Sequence, residues 1–188
     1  MRKPVYHHPE FVTKTEDKRV PEKRFWLKLT IDKSKKENLV VILKNPSRAT
    51  KDISDKTIFT VTNYVYKNRE NYKELKNVGT IIILNLIPLY ETYSENLQQI
   101  SEKIIDKTNL KWIDRFCSEN KNVLIAWGNH PKGLRNEYEE IKEKVFETFD
   151  KNNNSIFYVE KLSAQGNPKH GMVWAYENPL LKFDNKKL

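Results

Sequence analysis

The sequence predicts an α/β domain: three layers, α/β/α, around a central four-stranded parallel sheet. Two observations carry that expectation. Four short apolar runs are continuous rather than alternating, which is the signature of strands buried on both faces. Segments with apolar residues at helical spacing lie between them, as parallel crossovers require. The length of 188 residues suits one domain.

Taken in order, residues 1–23 read as an N-terminal arm. They hold Pro4, Pro9 and Pro21, many charges and few large aliphatics, too little to offset the entropy of ordering. The pair His7-His8 has no carboxylate or cysteine at ligand spacing and reads as exposed. Residues 24–188 form the single domain. Phe25 to Ile31, rich in aromatic and branched residues, suits an additional edge strand. The four buried runs are Leu39 to Leu43, Thr80 to Leu84, Asn122 to Trp127 and Ser155 to Val159. Between the first two, Ser54 is placed to cap a helix carrying Ile58, Val61, Thr62 and Val65. Ser94 is placed to cap another, bearing Leu97, Ile100 and Ile104. A third helix spans about 109–119, with Leu110, Ile113 and Phe116-Cys117 packed inward. The fourth runs from Leu134 to about Phe149, and its stripe of Leu134, Tyr138, Ile141, Val145 and Phe149 faces the core. Asn152-Asn153-Asn154 reads as a surface turn.

Composition narrows the function. Apolar residues make up 38% and charged residues 31%, with a net charge of +9. A basic surface points to a polyanion, most often nucleic acid, although a Lys- and Asn-rich composition produces the same figure without one. No apolar run is long enough to span a membrane, and the N-terminus lacks the apolar core of a secretory signal. The single Cys117 forms no internal disulfide. A cytoplasmic location follows as the expectation. A Gly-x-Gly-x-x-Gly turn, a phosphate loop, a paired carboxylate set and a Ser-His-Asp pattern are all missing, so neither a cofactor nor a metal is implied.

In an open α/β sheet, ligands bind beyond the carboxyl ends of the strands. The residues there are Lys44-Asn45-Pro46-Ser47-Arg48, then Asn85 through Tyr90, then Gly128-Asn129-His130-Pro131, then the loop from Lys161 to Met172. Amide side chains carry a donor and an acceptor together and suit the edge of a planar heterocycle. Asn45 and Asn85 also fit a plainer role as turn braces, and His130, before a proline, reads as structural.

The order Asn45-Pro46-Ser47-Arg48-Ala49, Asp52 to Ile58, Leu84-Asn85-Leu86, Ala126-Trp127-Gly128 and Gly166-Asn167-Pro168-Lys169-His170 resembles a family of bacterial and phage domains of unknown function whose members often travel on mobile elements. The match runs from about Arg24 to Trp174. More distantly, the same sites resemble those of the uracil-DNA glycosylase superfamily. Leu43-Lys44-Asn45-Pro46 stands where that superfamily has Gly-x-Asp/Asn-Pro, Ile83-Leu84-Asn85 where a strand ends in the base-reading Asn, and Ile125-Ala126-Trp127-Gly128 where a strand ends in an apolar-Trp-Gly motif. His170-Gly171-Met172 stands where a His-bearing loop wedges the DNA.

The resemblance implies that Asn45 orients water, that Asn85 reads the base, and that His170 stabilises charge on a leaving base. Lys44, Asn45, Pro46, Ser47, Arg48, Asn85, Tyr90 and Gly128 would line the ligand pocket. Asn167, Lys169, His170 and Met172 would form the DNA-contacting loop. The departures are Leu43 for the opening glycine, an amide at Asn45 that cannot take a proton, and Gly171-Met172 for the usual Pro-Ser. Tyr64 or Tyr90 would have to supply stacking.

Three functions follow. The first is a glycosylase-like protein without ordinary uracil excision, binding a nucleobase, nucleotide or DNA in mobile-element or phage DNA metabolism. The second is an active glycosylase on uracil or a modified base. The third is an enzyme acting on a free nucleoside or nucleotide-derived small molecule. The expected partner is nucleic acid or a nucleotide-like molecule, with no membrane and with room for a protein partner.

Overall fold

The computed structural model describes residues 6–90 and 104–184. Its elements in chain order are β1 (Lys14–Val20), β2 (Lys23–Thr30), β3 (Glu37–Leu43), α1 (Lys56–Asn68), the single turn α2 (Lys73–Lys76), β4 (Val78–Asn85), α3 (Lys107–Glu119), β5 (Asn122–Ile125), α4 (Arg135–Lys151), β6 (Ser155–Val159) and β7 (Leu180–Lys182). The helix expected after Ser94 lies outside the described residues, apart from Ile104, which is fully buried.

The seven strands form one mixed sheet in the order β1-β2-β4-β3-β5-β6-β7. β3 runs parallel to both β4 and β5, and β5 runs parallel to β6. Antiparallel strands extend the sheet on both sides: β2 on β4, β1 on β2, and β7 on β6. The sheet is therefore larger than the four strands expected. Phe25 to Ile31 contributes to an inner strand, because β2 pairs on one side with β4 and on the other with β1.

The N-terminal segment also differs from an arm. Lys14–Val20 is the edge strand β1, and its charge is a reason it resists recognition: Lys-rich edges discourage further pairing. Upstream, the Phe11 ring stacks on Tyr66 at 3.7 Å, Pro9 is buried, and Tyr6 bridges to Ser54. Those contacts tie the segment to α1 and the loop before it.

Two apolar cores, one per sheet face, explain the continuous apolar runs. On one face Leu39, Val41, Leu43, Ile81 and Ile83 meet Ile58, Val61, Tyr64 and Val65 of α1. On the other, Val40, Ile42, Ile82 and Leu84 meet Ile113, Phe116 and Cys117 of α3 and Tyr138, Ile141, Val145 and Phe149 of α4. Each such side chain contributes about 1.5–3 kcal/mol on leaving water. Burial pushes the Cys117 thiol up to about 12, so it packs as a small apolar group. The cap of α1 is Asp55 rather than Ser54: the Asp55 carboxylate accepts from the Ile58 amide at 2.9 Å. Among the described residues no helix is long and apolar enough to cross a membrane.

Candidate functional site

The site is built where β3 and β4 end side by side. Leu43 and Asn85 are register partners, and the ladder continues past them through Leu86 N–H to Leu43 O and Ile87 N–H to Lys44 O, both 2.9 Å. Alternation along β4 puts Asn85 on the same face as Ile81 and Ile83, the face covered by α1. Asn85 is completely buried, and neither Oδ1 nor Nδ2 has a hydrogen-bond partner among the described residues. Its backbone, in contrast, is firmly held. Asn109 of α3 donates from Nδ2 to Asn85 O at 2.8 Å and to Leu86 O at 3.2 Å. Asn109 is in turn placed by Asp106, which caps α3 through the Asn109 amide and accepts from Lys23 Nζ at 2.7 Å. The strand end is fixed while its side-chain amide is unspent.

Arg24 enters the same region through a bulge. The β1–β2 register steps from Lys18–Trp26 to Arg19–Arg24, skipping Phe25, and such a step re-aims the next side chain. The Arg24 guanidinium is 1% exposed and donates from Nη1 to Ala49 O at 2.7 Å, in the loop between β3 and α1. Its Nε has no partner among the described residues. Burial lowers its pKa, against the pull of Asp55, Tyr90 and Asp17. Among the described residues no carboxylate lies within ion-pair distance of it.

The last loop closes over the rim. Gly128, in the loop after β5, has φ +70°, and a Cβ there would lie 3.0 Å from His170 Cβ, so glycine lets that loop and the His170 loop approach. Gly171 sits against Val61, Leu43 and Ala126, and a Cβ there would come within 2.6 Å of Val61 Cγ2. Gly171 N–H donates to Ala126 O at 3.2 Å. Leu43 therefore fills space beside this loop as a 2% exposed core residue. His170 Nδ1 accepts from Met172 N–H at 3.2 Å, which leaves the ring proton on Nε2. Burial and the Lys44 ammonium depress the His170 pKa to about 4, only partly opposed by Asp55, so the imidazole is neutral at pH 7. Burial also lowers the Lys44 pKa.

Asp55 links these parts. It acts electrostatically on both Arg24 and His170. Its own oxygens are committed to Ile58 N–H (2.9 Å) and Ala49 N–H (3.3 Å).

The expected site residues divide accordingly. Lys44, Asn85, Gly128 and His170 come together around the ends of β3, β4 and β5. Asn45 is half-buried beside them, with Nδ2 donating to Pro46 O at 3.2 Å; Pro46 is buried and Ser47 half-buried. Arg48 is exposed. Tyr90 is anchored by its N–H to Glu22 O at 3.0 Å, and its buried hydroxyl has no partner among the described residues. Asn167 is 2% exposed, accepts from Lys142 Nζ at 2.8 Å and donates to Asn129 Oδ1 at 3.2 Å, so its amide braces the loop. Lys169 is paired with Glu160. Met172 and Val173 are 41% and 50% exposed and form an apolar tip directly after His170. Arg24, Asp55 and Asn109 are not among the site residues that the sequence singles out. Only Asp55 carried a signal, three residues before the apolar Ile58.

The concavities described are not centred on Asn85. One of about 330 Å³ borders the rim and is lined by Arg19, Val20, Pro21, Thr50 and Tyr90. A cavity of about 460 Å³ lies between α3 and α4, and another of about 650 Å³ lies where β5 and β6 begin.

Residues 24–172 match the family model described as a protein of unknown function, DUF1643. The chain belongs to that family. No curated protein and no solved structure matches it. The DUF1643 match ends at Met172, so it takes in Arg24, Asn85 and the His170 loop and leaves out β1 and β7.

Proposed function

We propose that this DUF1643 protein binds a nucleobase or nucleotide at the β3–β4 rim, with DNA as its source, and does not carry out ordinary uracil excision. The observation that carries this reading is Asn85: a fully buried amide with both its donor and its acceptor unspent. Leaving a buried polar group unpaired costs about 1–3 kcal/mol, which a heterocycle presenting an adjacent acceptor and donor would recover. The likeness to the uracil-DNA glycosylase superfamily supports the same role for Asn85. The net charge of +9 and the exposed Met172-Val173 tip fit a loop that approaches a polyanion and unstacks a base. The resemblance to mobile-element and phage domains extends the reading to their DNA metabolism.

Excision needs an activated water. Asn45 orients but does not deprotonate, and the oxygens of Asp55 are taken by backbone amides. One feature favours chemistry instead: the neutral His170 offers an Nε2–H donor suited to a developing oxyanion.

A single set of assays separates these readings. Oligonucleotides containing uracil are incubated with the protein and cleaved with alkali at any abasic site, and their binding is followed across a salt series. Binding that weakens steeply with salt, falls at least tenfold in Asn85→Leu and yields no abasic product is the expected result. Abasic product lost in His170→Ala would establish an enzyme. Binding of deoxyuridine without affinity for DNA would establish a small-molecule site.

A further inference from the structure

Arg24 and Tyr90 hold hydrogen-bonding capacity that the nucleobase reading does not use. A guanidinium has five N–H donors in a planar fork. Among the described residues the Arg24 side chain donates to Ala49 O, and its buried Nε has no partner. The nearby carboxylates are committed elsewhere: Asp55 to Ile58 and Ala49 amides, Asp17 to the Lys51 amide at 3.1 Å and Arg19 Nε at 3.5 Å. Their charges balance the region from a distance but do not occupy the Arg24 fork.

The Tyr90 hydroxyl is the second unmet group. It is buried, has no partner among the described residues, and lies near enough to act on the Arg24 charge. Tyr90 also lines the cavity of about 330 Å³ together with Arg19 and Thr50. Arg19 is the cross-strand partner of Arg24, and Thr50 follows the Ala49 whose carbonyl Arg24 holds. The cavity is thus lined by neighbours of the residues that hold Arg24, with Arg19 at its edge and Arg24 itself buried behind the lining. A tetrahedral oxyanion satisfies this set: a forked donor, a hydroxyl donor and a flanking cation.

We propose that Arg24, Tyr90 and Arg19 form a phosphate subsite at the edge of the rim, so that the ligand read by Asn85 carries a phosphate. The proposal rests on the nucleotide reading for the ligand's identity, but the subsite is testable without it. The phosphate comes either from a terminal monoester or from a DNA backbone diester; both present the oxygens that Arg24 and Tyr90 lack.

The test uses the full chain and inorganic phosphate. Thermal unfolding is followed as phosphate replaces chloride at constant ionic strength. A saturable rise in Tm with phosphate is expected, and Tyr90→Phe, which removes only a buried unpaired hydroxyl, should weaken that binding about tenfold without lowering Tm in chloride. Arg19→Gln should weaken it several-fold. Arg24→Gln should abolish it, and if that variant does not fold, the Tyr90→Phe and Arg19→Gln results decide. Displacement by methyl phosphate or by dimethyl phosphate supports the subsite in either case and tells terminal from backbone phosphate. Equal Tm in phosphate and chloride, or wild-type affinity in Tyr90→Phe, overturns the proposal. Asn85→Leu should leave phosphate binding intact. Phosphate binding without any deoxyuridine or DNA binding would therefore sink the nucleobase reading and leave the anion site standing.

Discussion

Asn85 and Asn167 are both buried asparagines at the carboxyl end of the sheet, and the structure treats them oppositely. Asn167 is held by Lys142 and Asn129, and Asn129 Oδ1 also accepts from Ser163 Oγ at 2.8 Å. Lys142, itself 9% exposed, completes the network with Glu139 at 2.7 Å. The Asn85 side chain has no partner among the described residues, although its backbone is clamped by Asn109. Both residues are equally polar and equally hidden. Only one has its hydrogen-bonding capacity committed to architecture. A satisfied network specifies a fold, and an unsatisfied buried amide is a destabilising feature that needs another explanation.

That contrast is open to direct test. The largest effect belongs to the satisfied side. Asn167→Leu removes the hydrogen bonds to Lys142 and Asn129, leaving Lys142 to Glu139 and Asn129 to Ser163, and should cost about 2–3 kcal/mol in denaturant unfolding. A loss below about 1 kcal/mol would remove the distinction between the two residues.

The second effect is acid sensitivity at His170. Its folded pKa of about 4 lies below an unfolded value of about 6.5, so the unfolded chain takes up the proton first. Stability from the neutral ring is complete above about pH 6.5 and is lost as pH falls toward 4, about 2 kcal/mol by pH 4.5. His170→Asn keeps a side-chain acceptor for Met172 N–H and removes the titration. The pH slope of its unfolding free energy should flatten in that window.

The third is steric. Gly128→Ala places a side chain at φ +70° and against His170, and should cost about 1–2 kcal/mol in the same unfolding experiment. His170 must shift, so the nucleic-acid binding proposed for its loop should fall with it.

Much of the fold was legible because its signals are local. Continuous runs such as Thr80 to Leu84 read as strands buried on both faces, and the stripe from Leu134 to Phe149 read as a helix; β4 and α4 are found there. β1 was not legible, since KTEDKRV carries one apolar residue and is a strand only through its ladder with β2. β7 is three residues long. The site was legible in part. Strand-end residues such as Asn85 and Gly128 announce themselves by abutting apolar runs. Arg24 reaches the rim by a bulge, and Asn109 acts from a helix cap, so their roles depend on tertiary geometry that no local pattern encodes. Asn167 shows the converse: its motif marked it for DNA, while Lys142, 25 residues earlier, takes its amide.

The smallest expected effect bears most directly on the central claim. Asn85→Leu replaces an unpaired buried amide with an apolar group of similar size, so its unfolding free energy in urea should stay within about 1 kcal/mol of the wild type or rise above it. A loss of 3 kcal/mol or more would show that the Asn85 amide is spent on holding the fold, and would contradict its availability to a ligand.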